Sequence, residues 1–415
     1  MHILVSFCNA WPVAGGMPKL GLLDTATSDF RVLELPDSLA RWSGITGLAL
    51  SEDFVYAVVQ DKASHLAVFD RATLALRGLH SLPAMEDVHS LWLEDDALFA
   101  VSTGTDEVVR LRLRGAAIDS SEVYWRPDPG APREDIHHLN AILRAHGDLY
   151  VSGFGRKAGK TWGSAKSGVV LRLTDRKVMA SEIVHPHSLA LIGDALACCE
   201  SRDRTVRILG GDRSAQLPGY TRGMCVIGES VYVGTCTQRR VSKSAGTVNA
   251  PGAAEASEGR CTICRLSARG LAVEDVVDLS AYAYEIYDLV PADRVAGWPA
   301  IPEGEWQDGM LRRFMALQDE QHALAIQQAA AADEARRSLA DLQLEREELK
   351  RLLVETRREL DRRTAEQTTT IDQLHGQLDH ATRVVADMQR TRLWRLGTAY
   401  WRARDRLRRL SGPAT

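Results

Sequence analysis

The sequence predicts an all-β six-bladed propeller followed by a long α-helical coiled coil. One short hairpin pattern recurs through residues 1–293, where helical patterns are scarce, and this repetition is typical of a propeller. Residues 311–390 instead hold no proline, one glycine and regularly spaced leucines. The 415 residues are 45% hydrophobic and 26% charged, which excludes a collagenous or wholly disordered chain.

The recurring hairpin is clearest in two segments. His89–Leu98 reads HSLWLEDDAL and His187–Leu196 reads HSLALIGDAL, so each has an alternating apolar strand, a polar turn and the start of a second strand. The same spacing fits the segments that begin at Thr46, Asn140 and Arg222.

Two further strand-like segments follow each hairpin, so each unit predicts a four-stranded antiparallel blade. Residues 2–36 supply three strands without a first one, and the isolated segment Glu285–Pro291 has the pattern to provide it. Pairing of the N- and C-terminal strands would then close a ring of six blades over residues 1–293 and remove its exposed edges. A pair of β-sandwiches is the alternative.

The first strands of propeller blades begin on one face of the ring, so we expect residues at their starts to converge on one channel mouth. The candidate ligand-binding residues are His89, His138, Asn140, His187, Arg222, Glu285 and Tyr287. Three interpretations stay open. These side chains could bond backbone carbonyls and tie neighbouring blades, bind a sugar or an anionic small molecule, or hold a divalent metal through imidazoles and a carboxylate.

Four short motifs carry a resemblance to a known family. They are DIHHLN at 135–140, HPHSL at 185–189, LPGYTRG at 217–223 and EIYD at 285–288. In these residues the chain resembles DUF4915, a family of uncharacterised bacterial propeller-like proteins. The resemblance implies a fold and no settled activity. The sequence departs from the family in an insertion near residues 237–260 and in its helical C-terminal part.

The remaining residues predict a linker, a coiled coil and a tail. Residues 294–310 contain two prolines and three glycines and predict a linker. In residues 311–390 a heptad pattern aligns Leu353, Leu360 and Leu374 on one seam. A single helix of this length cannot bury its seam, so we expect self-association, most simply with a second copy.

Residues 391–415 predict a basic, aromatic, amphipathic tail. Arg390–Leu410 holds eight arginines and one acidic residue, interleaved with leucine, tryptophan and tyrosine, which favours an anionic membrane surface. A protein partner is the alternative. Nucleic acid is disfavoured, because no base-reading fold accompanies the tail and residues 1–310 carry a net charge of about −8. The string Leu393–Leu396 after a coiled coil is similar to the C-terminal ends of surface-polysaccharide assembly proteins.

The N-terminus lacks the pattern of a secretory signal, and the seven cysteines are an odd number that suits a reducing compartment. We therefore expect a cytoplasmic protein, peripheral on the inner face of the membrane. The predicted function is a ligand-binding or scaffold propeller on a coiled-coil stalk in bacterial cell-surface glycan assembly. The alternative is an enzyme that acts on a sugar or sugar-derived ligand at the channel mouth, with or without a metal.

Overall fold

A computed structural model gives the structure of the chain in two compact units, Met1–Gln318 and Asp319–Thr415. The described residues are 1–10, 19–39, 42–60, 63–159, 162–237, 259–295 and 297–410. Most of the insertion predicted near residues 237–260, and the last five residues of the predicted tail, lie outside them.

Antiparallel sheets build the first unit, and those of the described residues comprise one sheet of eight strands and four sheets of four. The eight-stranded sheet contains β1 (His2–Ala10), β2 (Leu20–Asp24), β3 (Phe30–Val32), β4 (Gly44–Leu50), β5 (Phe54–Gln60), β6 (His65–Asp70), β7 (Leu76–Ser81) and, much later in the chain, β24 (Ala283–Ala292). The second sheet contains β8 (Val88–Glu94), β9 (Ala97–Ser102), β10 (Glu107–Arg114) and β11 (Ala117–Trp125).

The other three sheets follow in chain order. They are β12 (Leu139–Ala145), β13 (Asp148–Gly153), β14 (Gly168–Arg172) and β15 (Val178–Ile183); β16 (Pro186–Ile192), β17 (Ala195–Glu200), β18 (Thr205–Ile208) and β19 (Ser214–Gln216); and β20 (Tyr220–Ile227), β21 (Ser230–Cys236), β22 (Thr262–Ser267) and β23 (Val273–Asp278). In each sheet successive strands pair in a meander, so every strand is held by the next one along the chain.

The two ends of the strand-rich unit pair with each other. β1 runs antiparallel to β24 with Ile3 opposite Pro291, so the segment predicted from sequence to complete the N-terminal strands does pair with them. Two groups make up the eight-stranded sheet, β24-β1-β2-β3 and β4-β5-β6-β7, and the single pair Cys8–Gly44 joins them. Only glycine fits at 44, because a Cβ there would stand 2.6 Å from the Cα of Cys8.

The core lies between neighbouring sheets, where the buried faces of their strands meet. One cluster joins Leu4, Val59 and Phe69, which come from three strands of the eight-stranded sheet. Val295 and Trp298 pack into the same cluster, and the Trp298 indole donates to the Arg71 carbonyl at 2.6 Å. Part of the predicted linker 294–310 is therefore packed against the strands.

Two helices complete the chain, α1 (Glu303–Arg390) and α2 (Arg392–Leu410). α1 begins inside the range predicted as linker. It is one long helix that lacks proline, and Leu353 on the predicted seam is 71% exposed. No helix of the described residues has the combination of length and apolar character that a membrane crossing requires.

Candidate functional site

Six strands carry a bulge at the same point of the repeat. β4, β8, β12, β16, β20 and β24 each show a shift in pairing register at or beside the residue that the repeat aligns with His89. At one of these bulges Gly223 has a φ of +69°, a left-handed conformation that glycine adopts without strain.

The bulges explain how neighbouring residues line one cavity. Successive side chains of a regular strand point to opposite faces, whereas a bulge re-aims them. Consecutive residues therefore line a cavity of about 260 Å³, counting the part open to solvent. Its lining residues are His89, Ser90, Asn140, Ala141, His187, Ser188, Arg222, Tyr287 and Asp288.

Five of the seven residues proposed from sequence line this cavity: His89, Asn140, His187, Arg222 and Tyr287. The other two lie directly behind them. The His138 ring centre is 5.5 Å from that of His89, and Glu285 forms an ion pair with Arg222.

Arg222 organises one half of the site. Its guanidinium donates to the Glu285 carboxylate and, at 2.9 Å, to Nε2 of His187. Because arginine can only donate, Nε2 of His187 accepts and the ring proton is on Nδ1, which donates to Ser201 at 2.8 Å. Burial, reinforced by the charge of Arg222, holds the pKa of His187 well below its usual value. His187 is therefore neutral, with both ring nitrogens bonded.

His89 organises the other half. Asn140 donates from its amide nitrogen to the His138 carbonyl at 2.8 Å, so its amide oxygen accepts from Nδ1 of His89, also at 2.8 Å. Nε2 of His89 is 3.1 Å from an Asp87 carboxylate oxygen. Both ring nitrogens of His89 therefore face acceptors, the Asn140 amide oxygen and the Asp87 carboxylate.

Burial also acts on two histidines beside the cavity. It lowers the pKa of His138, whose Nδ1 is 3.0 Å from Asp135, and it lowers the pKa of His185 to about 4. The His185 ring stacks on Phe154 with ring centres 4.3 Å apart. Both imidazoles are therefore neutral near pH 7 and contribute a packed aromatic wall.

Asp288 contributes a carboxyl group to the cavity. It accepts from the backbone N–H of Leu48 at 3.0 Å and from its own neighbour Leu289 at 2.9 Å. Burial nevertheless raises the pKa of Asp288 to about 7, because these two hydrogen bonds only partly offset the lost hydration.

Tyr287 differs from the other lining residues in its hydrogen bonding. The residue is 8% exposed, and the guanidinium of Arg222 lies 4.3 Å from its ring centre. Within the described part of the chain its hydroxyl has no hydrogen-bond partner.

The metal hypothesis receives no support from this geometry. The described residues include no group of three or more His, Cys, Asp or Glu side chains placed to hold a metal ion. The physical reason is that the imidazoles of His89 and His187 already use their ring nitrogens in hydrogen bonds and an ion pair.

Sequence reasoning missed several members of the site. Ser90, Ser188 and Asp288 each follow a predicted residue directly, and alternation along a strand would point them away. The pair Arg222–Gly223 carries the signal that could have found them, since a glycine inside a strand pattern often marks a bulge.

A family model described as "Domain of unknown function (DUF4915)" matches residues 53–296. Curated proteins give no match to the sequence.

Solved structures resemble the strand-rich unit at low sequence identity. A protein of unknown function from Bacteroides caccae is 12% identical, with 69% of this chain and 97% of that chain covered and a TM-score of 0.44. A chain of a nidogen/laminin complex is 12% identical, with 70% and 97% covered and a TM-score of 0.47. The β-propeller domain of Cps50 (Swd1) from Myceliophteria thermophila is 13% identical, with 66% and 87% covered and a TM-score of 0.39. The successive four-stranded antiparallel sheets of this chain make its fold propeller-like.

Proposed function

This chain belongs to the DUF4915 family, and we propose that it is a binding protein whose cavity takes a small, uncharged polar ligand such as a sugar or one end of a sugar. The observation that carries the proposal is Tyr287, a residue of the cavity lining whose hydroxyl has no hydrogen-bond partner among the described residues. A ligand hydroxyl would supply the missing hydrogen bond.

The charges of the site favour an uncharged ligand over an anionic one. Arg222 is paired with the buried Glu285, and His89 lies beside Asp87. An anion would have to compete with these carboxylates and lose its own hydration, which is costly in a buried site. The sequence-based alternative of an anionic ligand is therefore the weaker one.

Hydroxyl groups of the cavity remain available to a ligand. Ser90 accepts from the N–H of Ile142 at 3.4 Å, and Ser188 accepts from the N–H of Gly223 at 2.8 Å. A serine hydroxyl that accepts still has its own proton to donate. Two donors and the phenol of Tyr287 suit a compound with several hydroxyl groups.

Titration calorimetry with a panel of neutral monosaccharides and their phosphate esters tests this proposal. We expect neutral sugars to bind, and Tyr287→Phe to weaken binding about five- to tenfold because one hydrogen bond is lost. Tyr232→Phe, a buried tyrosine outside the cavity lining, is the matched control and should bind as the unaltered chain does. Binding restricted to the phosphate esters, or equal binding by Tyr287→Phe, would contradict the proposal.

An enzyme acting on the same ligand is the second candidate, and Asp288 is the observation that favours it. A carboxyl group with a pKa of about 7 beside a ligand could act as a general acid or base near neutral pH. Both ring nitrogens of His187 are bonded, to Arg222 and to Ser201, so this histidine is not placed for the same role. An enzyme should lose turnover in Asp288→Asn while ligand binding remains, whereas a binding protein should show no turnover in either form.

For the fold we infer a closed ring of six blades. The support is one hydrogen bond that recurs between successive groups of strands. Its donor is a side chain in the second strand of one group, or just after it, and its acceptor is a backbone carbonyl in the first strand of the next group. The six bonds are Cys8 to Ile45, Gln60 to Val88, Thr103 to Leu139, Ser152 to Pro186, Ser201 to Thr221 and Cys236 to Ile286.

These bonds run from β1 to β4 and onward to β24, which pairs again with β1. Neighbouring residues thus carry much of the contact between successive groups of strands, alongside the bonds that the cavity residues make with one another. Truncation after Ala283 should abolish cooperative unfolding of the first unit. A truncated chain that melts as the full chain does would refute the six-bladed ring.

We also propose self-association of α1 as a coiled coil. The predicted seam is exposed in a single helix, with Leu353, Leu360 and Leu374 between 55% and 71% exposed, and a second copy would cover it. A stalk of this kind, together with a sugar-binding cavity, would suit the predicted scaffold role in cell-surface glycan assembly. Light scattering of the full chain tests the association, and a monomer would contradict it.

A further inference from the structure

The C-terminal helix α2 starts as a separate element. The Thr391 hydroxyl accepts from the backbone N–H of Trp394 at 3.2 Å, which is the geometry of a helix N-cap. α1 ends at Arg390 and α2 begins at Arg392, so the heptad pattern of α1 does not have to continue into α2.

Apolar and basic residues of α2 lie largely on different sides of the helix. Leu393, Leu396, Tyr400 and Leu407 are three, four or seven residues apart and therefore share one side of the helix. Trp394 and Trp401, seven apart, share a second side about a third of a turn around the helix from the leucines. Arg395, Arg402 and Arg406 share a third side, about a third of a turn from the leucines in the other direction, whereas Arg404 lies on the leucine side.

The apolar side is exposed. Leu393 is 83% exposed, Leu396 68% and Tyr400 64%, far more than such side chains keep when a partner covers them. The arginines add a second feature. The guanidinium of Arg404 lies 3.5 Å from the ring centre of Trp401, a pair that presents cation and aromatic together.

We propose that α2 lies flat on an anionic lipid bilayer, with the leucine side in the acyl boundary and the arginines among the phosphate groups. Charge complementarity selects this occupant, because Arg390–Leu410 has eight arginines against one acidic residue. Tyr400 on the apolar side and the two tryptophans are of the residue types that prefer the boundary between headgroups and acyl chains. Nucleic acid would satisfy the arginines but leave the leucine side in water. This inference does not depend on the cavity.

Co-sedimentation of the full chain with phosphatidylcholine vesicles, with and without phosphatidylglycerol, tests the proposal. We expect binding only where phosphatidylglycerol is present. Each arginine near an anionic surface changes the binding constant about fivefold, so the triple variant Arg395→Gln, Arg402→Gln and Arg406→Gln should bind roughly a hundredfold more weakly.

A matched variant removes the same charge elsewhere. Arg351→Gln, Arg357→Gln and Arg358→Gln lie on exposed positions of α1 and should leave vesicle binding unchanged. A second variant, Leu393→Ser with Leu396→Ser, keeps all arginines and should also weaken binding, because the apolar contact is lost. The proposal is overturned if the full chain stays in the supernatant with phosphatidylglycerol present, as expected of a nucleic-acid or protein ligand. Equal loss of binding in both triple variants would overturn it too.

Discussion

Asp288 should make the stability of the strand-rich unit fall as the pH rises. Its pKa is about 7 in the folded chain and close to 3.8 in an unfolded one, so between these values the folded state binds the proton more tightly. The stabilisation is complete below about pH 4 and is lost as the pH rises through 7. A difference of about 3 pKa units corresponds to about 4 kcal/mol. Because the cavity admits water to the carboxyl group, we expect protonated Asp288 to add about 2 to 4 kcal/mol to the free energy of unfolding.

Urea unfolding of the full chain and of Asp288→Asn, measured at several pH values, isolates this group. The buried histidines oppose the trend, since their lowered pKa values cost stability as the pH falls, but they are the same in both proteins. The free energy of unfolding of the full chain relative to Asp288→Asn should therefore fall by about 2 to 4 kcal/mol between pH 4.5 and pH 8. A difference that does not change with pH would refute the argument.

Two further variants serve as a substitute and a control in this test. Asp288→Ser introduces the residue found at the equivalent positions 90 and 188, where serine accepts a backbone N–H from the next group of strands. It should also remove the titration and is the substitute if Asp288→Asn does not fold. Asp278→Asn is a control in which the pH dependence of stability should change in the opposite direction. The reason is that a backbone N–H of Ser280 holds the pKa of Asp278 below its usual value.

Three other predictions follow from contacts of named residues. Glu285→Gln should destabilise the chain by about 3 to 5 kcal/mol in urea unfolding, because it leaves the buried Arg222 without its counter-ion; a change under 1 kcal/mol, as expected for an exposed pair, would contradict this. Gly44→Ala should lower the free energy of unfolding by about 1 to 3 kcal/mol, because the added Cβ would overlap Cys8. An unchanged free energy of unfolding would contradict the close approach of β1 and β4. Leu353→Asp should dissociate the self-associated chain, which light scattering would show as a lower molar mass. An unchanged molar mass would contradict a coiled-coil interface that contains Leu353.

The strand repeat and the position of the site could be predicted from sequence because both depend on local patterns. Alternation of apolar residues marks each hairpin, and a fixed spacing from hairpin to hairpin places His89, His187 and Arg222 at equivalent points. The pairing of β24 with β1 could be anticipated for the same reason, since both segments have strand patterns and neither has a complete set of neighbours.

The partners of the site residues could not be predicted in the same way. Glu285 and Arg222 are both predicted ligand-binding residues, and the structure pairs their charges with each other. Such pairing depends on rotamers and on distances between strands far apart in sequence, which spacing along the chain does not encode. Of the two ligand classes that the sequence leaves open, a sugar and an anionic small molecule, this ion pair favours the uncharged one.

The six bulges connect the fold to the chemistry of the site. A strand without a bulge would present either His187 or Ser188 to the channel, but not both. With the bulge, one residue of such a pair can serve the framework while the other faces the ligand: Asp288 bonds the N–H of Leu48 in β4, and the adjacent Tyr287 keeps its hydroxyl for the cavity. Substitutions of Tyr287 should therefore affect ligand binding more than stability. Substitutions of Asp288 should change how stability varies with pH between the unfolded and folded pKa values of this carboxyl group.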